Sequence, residues 1–479
     1  MPYAIRRLTF FSLSLVIGGA SEECGKNATS AALLQHSTKR TQIEVQPKAS
    51  CNMVPYYACA VATGIYAVSL FSLHRWSAAE SAPKQSGARD PHVDNAKFLG
   101  MVLVCWSHIG RWKVLEYSGL TSEFVIWFHM PMYVFLSGSF VRPASWQTFL
   151  KILVLILFPL VAFCLLIFPL ERVMLDMELK HLWLPGAAPY FEGSVFHLLM
   201  GSGPGWFIWF LRCLLIWKLA SMFTVSLPKA AQIALGILSG LAGVYCHPEG
   251  NTWSYGLFAY QRALQMFPFF LMGQLLDTSR LMKAVPPPST LTMASTWLLL
   301  FSLLYLENHS SIWSNLTDDL FHLLDSYPAP FMTYRYPASC DSAYYWLWAR
   351  YGASLAYRTF CMFIFLLFGV PRGRVWFTDA GSATMYAYLL HMPLVRYTAM
   401  GLTKADALYA ATLANLPPAL DYICFIALAT ALNLWFAMIV YVLTLHPVRS
   451  MFGVLIEPTW LLNLATAKTR SPEKAEEAK

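Results

Sequence analysis

"DNAKFLGMVLVCWSHIGRW" (residues 94–112) sets Lys97 and His108 eleven positions apart in a stretch otherwise dominated by apolar and small residues. Read as an α-helix rising about 1.5 Å per residue, it places His108 roughly 16 Å beyond Lys97. That is near the middle of a hydrocarbon layer about 30 Å thick. The rest of the chain supports a membrane reading, because 57% of its 479 residues are hydrophobic and only 13% charged. An ordinary soluble domain carries about 25% charged residues. Apolar runs of spanning length recur, and they are continuous rather than alternating, which predicts helices and argues against a β-barrel. The expected fold is all-α, a polytopic transmembrane helix bundle of about ten core helices plus one N-terminal helix.

Residues 1–20, "MPYAIRRLTFFSLSLVIGGA", combine a basic start, a short apolar run and a small-residue end, the shape of a secretory signal peptide. A polar segment at 21–52 reads as disordered, 53–73 as an extra span, and 74–93 as a linker. A longer targeting sequence to an organelle is the alternative for the first fifty residues. The membrane domain then runs over 94–460, with a charged tail at 461–479. Core spans are expected at 96–113, 122–141, 148–170, 205–224, 230–246, 256–276, 290–306, 345–370, 383–400 and 421–445. Threading the chain through them gathers Arg89, Arg142, Lys229, Arg280, Lys283, Arg372, Arg374 and Arg449 on one side, which the positive-inside rule makes cytosolic. The glycosylation-type triplets at Asn27, Asn308 and Asn315 fall on the other side. This topology suits the endoplasmic reticulum or Golgi with a cytosolic C-terminus.

The net charge of +8 is modest and spread over short loops, so it reflects topology and not a nucleic-acid surface. The ten cysteines are scattered. Most lie in apolar runs and read as packing residues, while Cys24 with Cys51, and Cys246 with Cys340, could pair if their loops are lumenal. No spacing suggests a metal site.

The polar groups inside spans are the candidates for chemistry. A histidine at the depth of His108 faces the bundle interior, and its ordinary pKa near neutrality suits it to accept a hydroxyl proton. Lys97, near the cytosolic end of the same helix, either snorkels to the headgroups or holds an anionic donor. Arg212, Arg262, Arg350 and Arg358 also fall in or beside spans, and the near-absence of acids there argues for a negatively charged ligand. His129 and His391 each precede Met-Pro, where a proline frees a carbonyl and bends a helix around a cavity. Ser137 and Gly138 permit close helix approach. Trp206 and Trp209 open a span, where an aromatic belt is expected.

Five blocks in order, "DNAKFLGMVLVCWSH", "FHMPMYVFLSGSF", "GPGWFIWFL", "RALQMFPFFLMGQLL" and "GSATMYAYLLHMPL", resemble the acyltransferase 3 family of multispanning membrane O-acyltransferases, its fucose 4-O-acetylase-like branch above all. The resemblance implies a ten-helix bundle that moves an acyl group, usually acetyl, from acyl-CoA to a hydroxyl, most often on a sugar. It implies a catalytic role for His108, with Lys97 where the family carries an arginine separated from the histidine by ten residues, and Asp94 as the preceding acid. The family's arginine pair ahead of a proline in the third helix falls here on Ile152 and Leu155, before Pro159. Donor contacts must then come from Arg142, Arg262 or Arg358.

The expectation is therefore acyl transfer from acyl-CoA, acetyl-CoA in the first instance, with His108 as general base and Lys97 or Arg358 stabilising negative charge. An acylated histidine is the alternative route. Arg358, Arg262, His129, Ser137, Trp206 and His391 are the expected substrate- or donor-binding residues. The partners are acyl-CoA, a carbohydrate or other hydroxyl acceptor and the bilayer, with no metal, no bound cofactor and no nucleic acid. Asp94, fourteen residues from His108 and so about 21 Å away along the helix, caps the helix or pairs with a cation. A transporter or lipid-handling protein on the same bundle is the rival reading.

Overall fold

The helix that contains the opening stretch, α1 (Pro91–Gly110), is enclosed by protein nearly all round, with Asp94, Asn95 and His108 buried along with its apolar residues. Helices of that pattern are interior ones. Its start follows from local chemistry: Pro91 occupies the first turn, where a missing N–H costs nothing, and the Asp90 carboxylate accepts the His92 amide at 2.9 Å. The cap is thus Asp90, which leaves Asp94 for ion pairing.

The computed structural model describes residues 89–110, 123–166, 208–245, 259–309, 347–413 and 417–467. The signal-like start, the 21–52 segment, the 53–73 span and residues 74–88 of the 74–93 linker lie outside the described residues, as do Cys24, Cys51, Cys246, Cys340, Asn27 and Asn315. After α1 come α2 (Glu123–Ser139), α3 (Trp146–Ile152), α4 (Trp209–Thr224), α5 (Lys229–Tyr245), α6 (Tyr260–Leu275), α7 (Thr278–Ala284) and α8 (Thr290–His309). The series continues with α9 (Leu347–Ile364), α10 (Thr378–Ser382), α11 (Thr384–Leu413), α12 (Pro418–Leu443), α13 (His446–Ile456) and α14 (Thr459–Ala467). No strand occurs among the described residues. Asn308 stands in the last turn of α8 rather than in the loop expected after 306. The boundary drawn at 460 falls inside α14, whose Trp460 ring meets Phe158 beyond α3.

Three described stretches are long and apolar enough to cross a membrane: Trp146–Leu166, Tyr351–Gly369 and Pro418–Leu443. The first contains α3 and runs through a π-helical turn at Leu153–Leu157 just before Pro159. A proline cannot donate to the preceding turn, and a local widening of the helix accommodates the freed carbonyls. In α12 one face is buried through Phe425, Ala429, Leu432, Phe436 and Ile439, while Ile423, Leu434, Trp435, Met438 and Val442 stand exposed on the other. A helix apolar on both its buried and its exposed face is made for lipid.

α1 packs against α2, α10, α11 and α12. α2 in turn crosses α6 at a point where only glycine fits. A Cβ on Gly138 would lie 1.9 Å from the Phe270 carbonyl oxygen, and one on Gly273 would lie 1.9 Å from that of Phe135. The small pair Ser137–Gly138 therefore does permit close backbone approach, through its glycine.

The segment 370–378, between α9 and α10, is docked onto the first turns of α1. Asn95, fully buried, donates to the carbonyls of Pro371 and Gly373, both at 2.8 Å, and accepts the Thr378 hydroxyl at 2.7 Å. Phe98 stacks on Phe377 with centroids 4.6 Å apart, and Arg372 donates to the carbonyls of Met282 and Val285 around the end of α7. Asn95→Ala would leave two carbonyls and a hydroxyl unsatisfied, at about 1–3 kcal/mol for each group that stays buried. Tryptic cleavage after Arg372 and Arg374 in detergent-purified protein is expected to accelerate at least tenfold over wild type.

His92 lies against this segment, with Nδ1 at 3.4 Å from the Pro371 carbonyl. Burial chiefly, with Arg372 adding to it, lowers its pKa below the ordinary 6.5, while Asp90 and the Pro371 carbonyl oppose the shift. A histidine neutral in the fold and protonated when unfolded contributes stability above about pH 6.5. That contribution is lost as pH falls through the lowered folded value. The thermal midpoint in detergent is expected to drop between pH 7.5 and 5.5, and His92→Gln to flatten the drop. An unchanged pH slope in the variant would refute the assignment.

Candidate active site

Two groups of polar side chains lie at different levels along α1. The first is at its N-terminal end. Asp94, buried, pairs with Arg89 at 3.1 Å and with Lys97 at 3.5 Å, the ion-pairing role expected for it. Lys97 keeps 27% of its side-chain surface accessible and sets its ammonium 5.4 Å over the Phe140 ring, while its backbone carbonyl accepts the Tyr133 hydroxyl. Ser137 sits at this level, but its hydroxyl donates to the Tyr133 carbonyl inside α2 at 2.7 Å. Its own carbonyl accepts the ammonium of Lys218, from α4, also at 2.7 Å.

The second group surrounds His108, eleven residues and so about 16 Å further along α1. His108 is 6% exposed, and its ring stacks on that of His391 with centroids 5.1 Å apart and planes 22° from parallel. His391 is fully buried on α11, the helix that carries Pro393. Its Nδ1 lies 2.8 Å from the Tyr388 carbonyl and 3.1 Å from that of Ala387. Carbonyls only accept, so Nδ1 carries a proton and Nε2 of a neutral His391 is an acceptor.

Tyr388 extends this group toward α4. Its ring is 6.3 Å from that of His391 and meets Phe210 edge-on at 5.9 Å, and its hydroxyl lies at the first-turn backbone of α4 beside Arg212. Arg212 is 1% exposed and also reaches the Cys164 thiol. Arg262 caps the Trp209 ring, with its guanidinium carbon 4.4 Å from the centroid. Arg358 on α9 and His129 on α2 are both buried, Arg358 beside Cys361. Trp206 lies outside the described residues, and the Arg350 side chain is not among those described.

The structure thus brings His108 and His391 together, sets Lys97 and Ser137 at another level, and seats Arg262 on an indole. Reasoning from sequence left out Lys218 and Tyr388 as working parts of these groups, and named Arg212 only as one of the cations in spans. Lys218, in "IWKLASMF", carried one signal: a cation inside a span, about as far from the span's end as Lys97 is from the region of Arg89. Tyr388 carried none, since a tyrosine in an apolar helix reads as packing. Four of the five described free cysteines, Cys105, Cys164, Cys213 and Cys361, are buried, as packing residues are. No cluster of three metal-ligating side chains occurs among the described residues.

Comparison with known proteins gives one finding. A family model described as an acyltransferase domain matches residues 90–442, more than half of the chain, and covers α1 through nearly all of α12. No curated protein and no solved structure gave a match.

Proposed function

Since the chain belongs to the acyltransferase 3 family, whose members are membrane proteins, we propose that it is a membrane O-acyltransferase that moves an acetyl group from acetyl-CoA to a hydroxyl of a sugar or glycan. The observation that carries this reading is the buried imidazole pair. His108, on the helix most fully enclosed by protein, is stacked on a histidine whose Nδ1 proton is held by backbone carbonyls.

In the reaction His108 accepts the proton of the acceptor hydroxyl as its oxygen attacks the thioester carbonyl carbon. The C–O bond forms, the C–S bond breaks, and the CoA thiolate leaves with the proton returned from the imidazolium. General-base assistance of this kind is worth about 10²–10⁴-fold. Lys97 holds the donor at the α1 N-terminal end, and the stacked His391 keeps the His108 ring in place. The full bundle crosses the membrane about ten times, including spans that are too polar to be identified by apolarity alone, as α1 is. Its basic loops face the cytosol, where acyl-CoA is made available. The endoplasmic reticulum or Golgi is the membrane this topology suits.

The test is transfer of label from [acetyl-¹⁴C]acetyl-CoA in membranes that contain the protein, compared with membranes that lack it, with label counted in glycan, lipid and protein fractions. Label in the glycan fraction that depends on the protein supports the reading. Label confined to lipid would change the acceptor class. No label in any fraction, from correctly inserted protein, would favour a transporter on the same bundle.

A further inference from the structure

The α1 N-terminal end holds more positive charge than the ion pairs there use. Lys218 rises from α4 to the end of α2 and donates to the Ser137 carbonyl at 2.7 Å and the Phe140 carbonyl at 3.3 Å. Its ammonium also lies 5.6 Å from the centroid of the buried Phe270 ring. Arg142 stands close enough for its charge to act on Lys218, and Lys97 lies over the ring of Phe140, the residue whose carbonyl accepts Lys218. The carboxylate nearest Lys97, Asp94, is shared by Arg89 and Lys97. Among the described residues neither Lys218 nor Arg142 has a carboxylate partner.

Carbonyls satisfy the hydrogen-bonding capacity of an ammonium without neutralising it. A half-enclosed ammonium beside a further cation, Arg142, is costly until an anion joins it. The cluster is open enough to receive one: Phe140 is 54% exposed and Arg142 is exposed. It is also the wrong place for a lipid headgroup to be the intended ligand, because Lys97 stands on the interior helix α1 and Lys218 reaches the junction of α2 and α6.

We propose that Lys218 and Arg142, with Lys97, form a phosphate-binding site at the α1 N-terminal end, and that the phosphates it holds are those of the CoA donor. This rests on the reading of the protein as an acyl-CoA-dependent transferase. The acetyl thioester then points along α1 toward His108, with the nucleotide end of the donor at the entrance.

The experiment is equilibrium binding of labelled acetyl-CoA to full-length protein in detergent, for wild type, Lys218→Met and Arg142→Gln. Competition by S-acetylpantetheine, which carries no phosphate, is measured alongside. A lost hydrogen bond to a charged group corresponds to about a tenfold to hundredfold weakening, so each variant should bind acetyl-CoA at least tenfold more weakly. S-acetylpantetheine should shift by less than about twofold. Arg142 is exposed and caps no helix, so its variant tests the site even if Lys218→Met unsettles the end of α2. Acetyl-CoA affinity within twofold of wild type in both variants would overturn the proposal. So would equal losses for both ligands, or loss only of binding to phosphatidylglycerol vesicles. Wild type that fails to bind acetyl-CoA at all would instead bring down the transferase reading on which the proposal stands.

Discussion

His108→Ala is expected to lower acetyl transfer from acetyl-CoA by about 10²–10⁴-fold at saturating donor, with the protein still inserted and folded. The ring sits in the interior of an encased helix, so alanine opens a small cavity but exposes no backbone, and the loss is one of chemistry. The ring also stacks on His391, so the two side chains should act as a unit. Side chains that act as a unit give non-additive effects. His391→Ala should therefore cost much of its activity through His108, and the double variant should be no more than a few-fold worse than His108→Ala alone. Initial rates in membranes normalised for protein content decide this. Retention of more than a tenth of wild-type rate by His108→Ala would sink the assignment of His108 as base. Losses that multiply in the double variant would separate the two histidines.

The second large effect is structural. Gly138→Val is expected to abolish recovery of folded protein, since the added Cβ alone would sit 1.9 Å from the Phe270 carbonyl oxygen. That contact is with backbone, so no rotamer change relieves it, and α2 and α6 must separate along the whole crossing. Overpacking a core costs typically about 1–3 kcal/mol and more where backbone must move. Gly273→Val meets the Phe135 carbonyl at the same distance and should fail in the same way. Ser137→Ala, one residue away, is the control. Its hydroxyl serves a carbonyl within its own helix, and such back-bonding contributes little to helix stability, so the thermal midpoint in detergent should stay within a few degrees. A monodisperse, wild-type-like Gly138→Val would show that the crossing is looser than the structure has it.

The membrane character, the all-helical class and the family were legible in the sequence because each depends on properties that run along one dimension. Continuous apolar runs dictate helices in lipid, and the five blocks in order match the span that the family model covers, residues 90–442. His108 was legible for the same reason: a proton-exchanging group in the middle of an apolar helix is conspicuous whatever surrounds it. Apolarity alone was a poorer guide to which helices are interior. α12 carries a clear spanning signal and lies at the rim, with exposed Leu434, Trp435 and Met438. α1, with Asp94, Asn95, Lys97 and His108, is less apolar and lies inside. An interior helix satisfies its polar groups with neighbouring protein, as Asn95 does with the 370–378 segment, whereas a rim helix has only lipid and must be apolar.

By itself, then, the sequence determined the solvent this chain is built for and its all-helical class, and it singled out His108 as the candidate for proton exchange. Only the tertiary structure decided which groups meet: His391 against His108, Lys218 at the end of α2, Asp94 between Arg89 and Lys97, and Asn95 under the segment after α9. The physical reason is that burial and helical periodicity are written residue by residue along the chain. The partner across a helix crossing depends on how closely two backbones approach, and at Gly138 and Gly273 that approach is set by two absent side chains acting together.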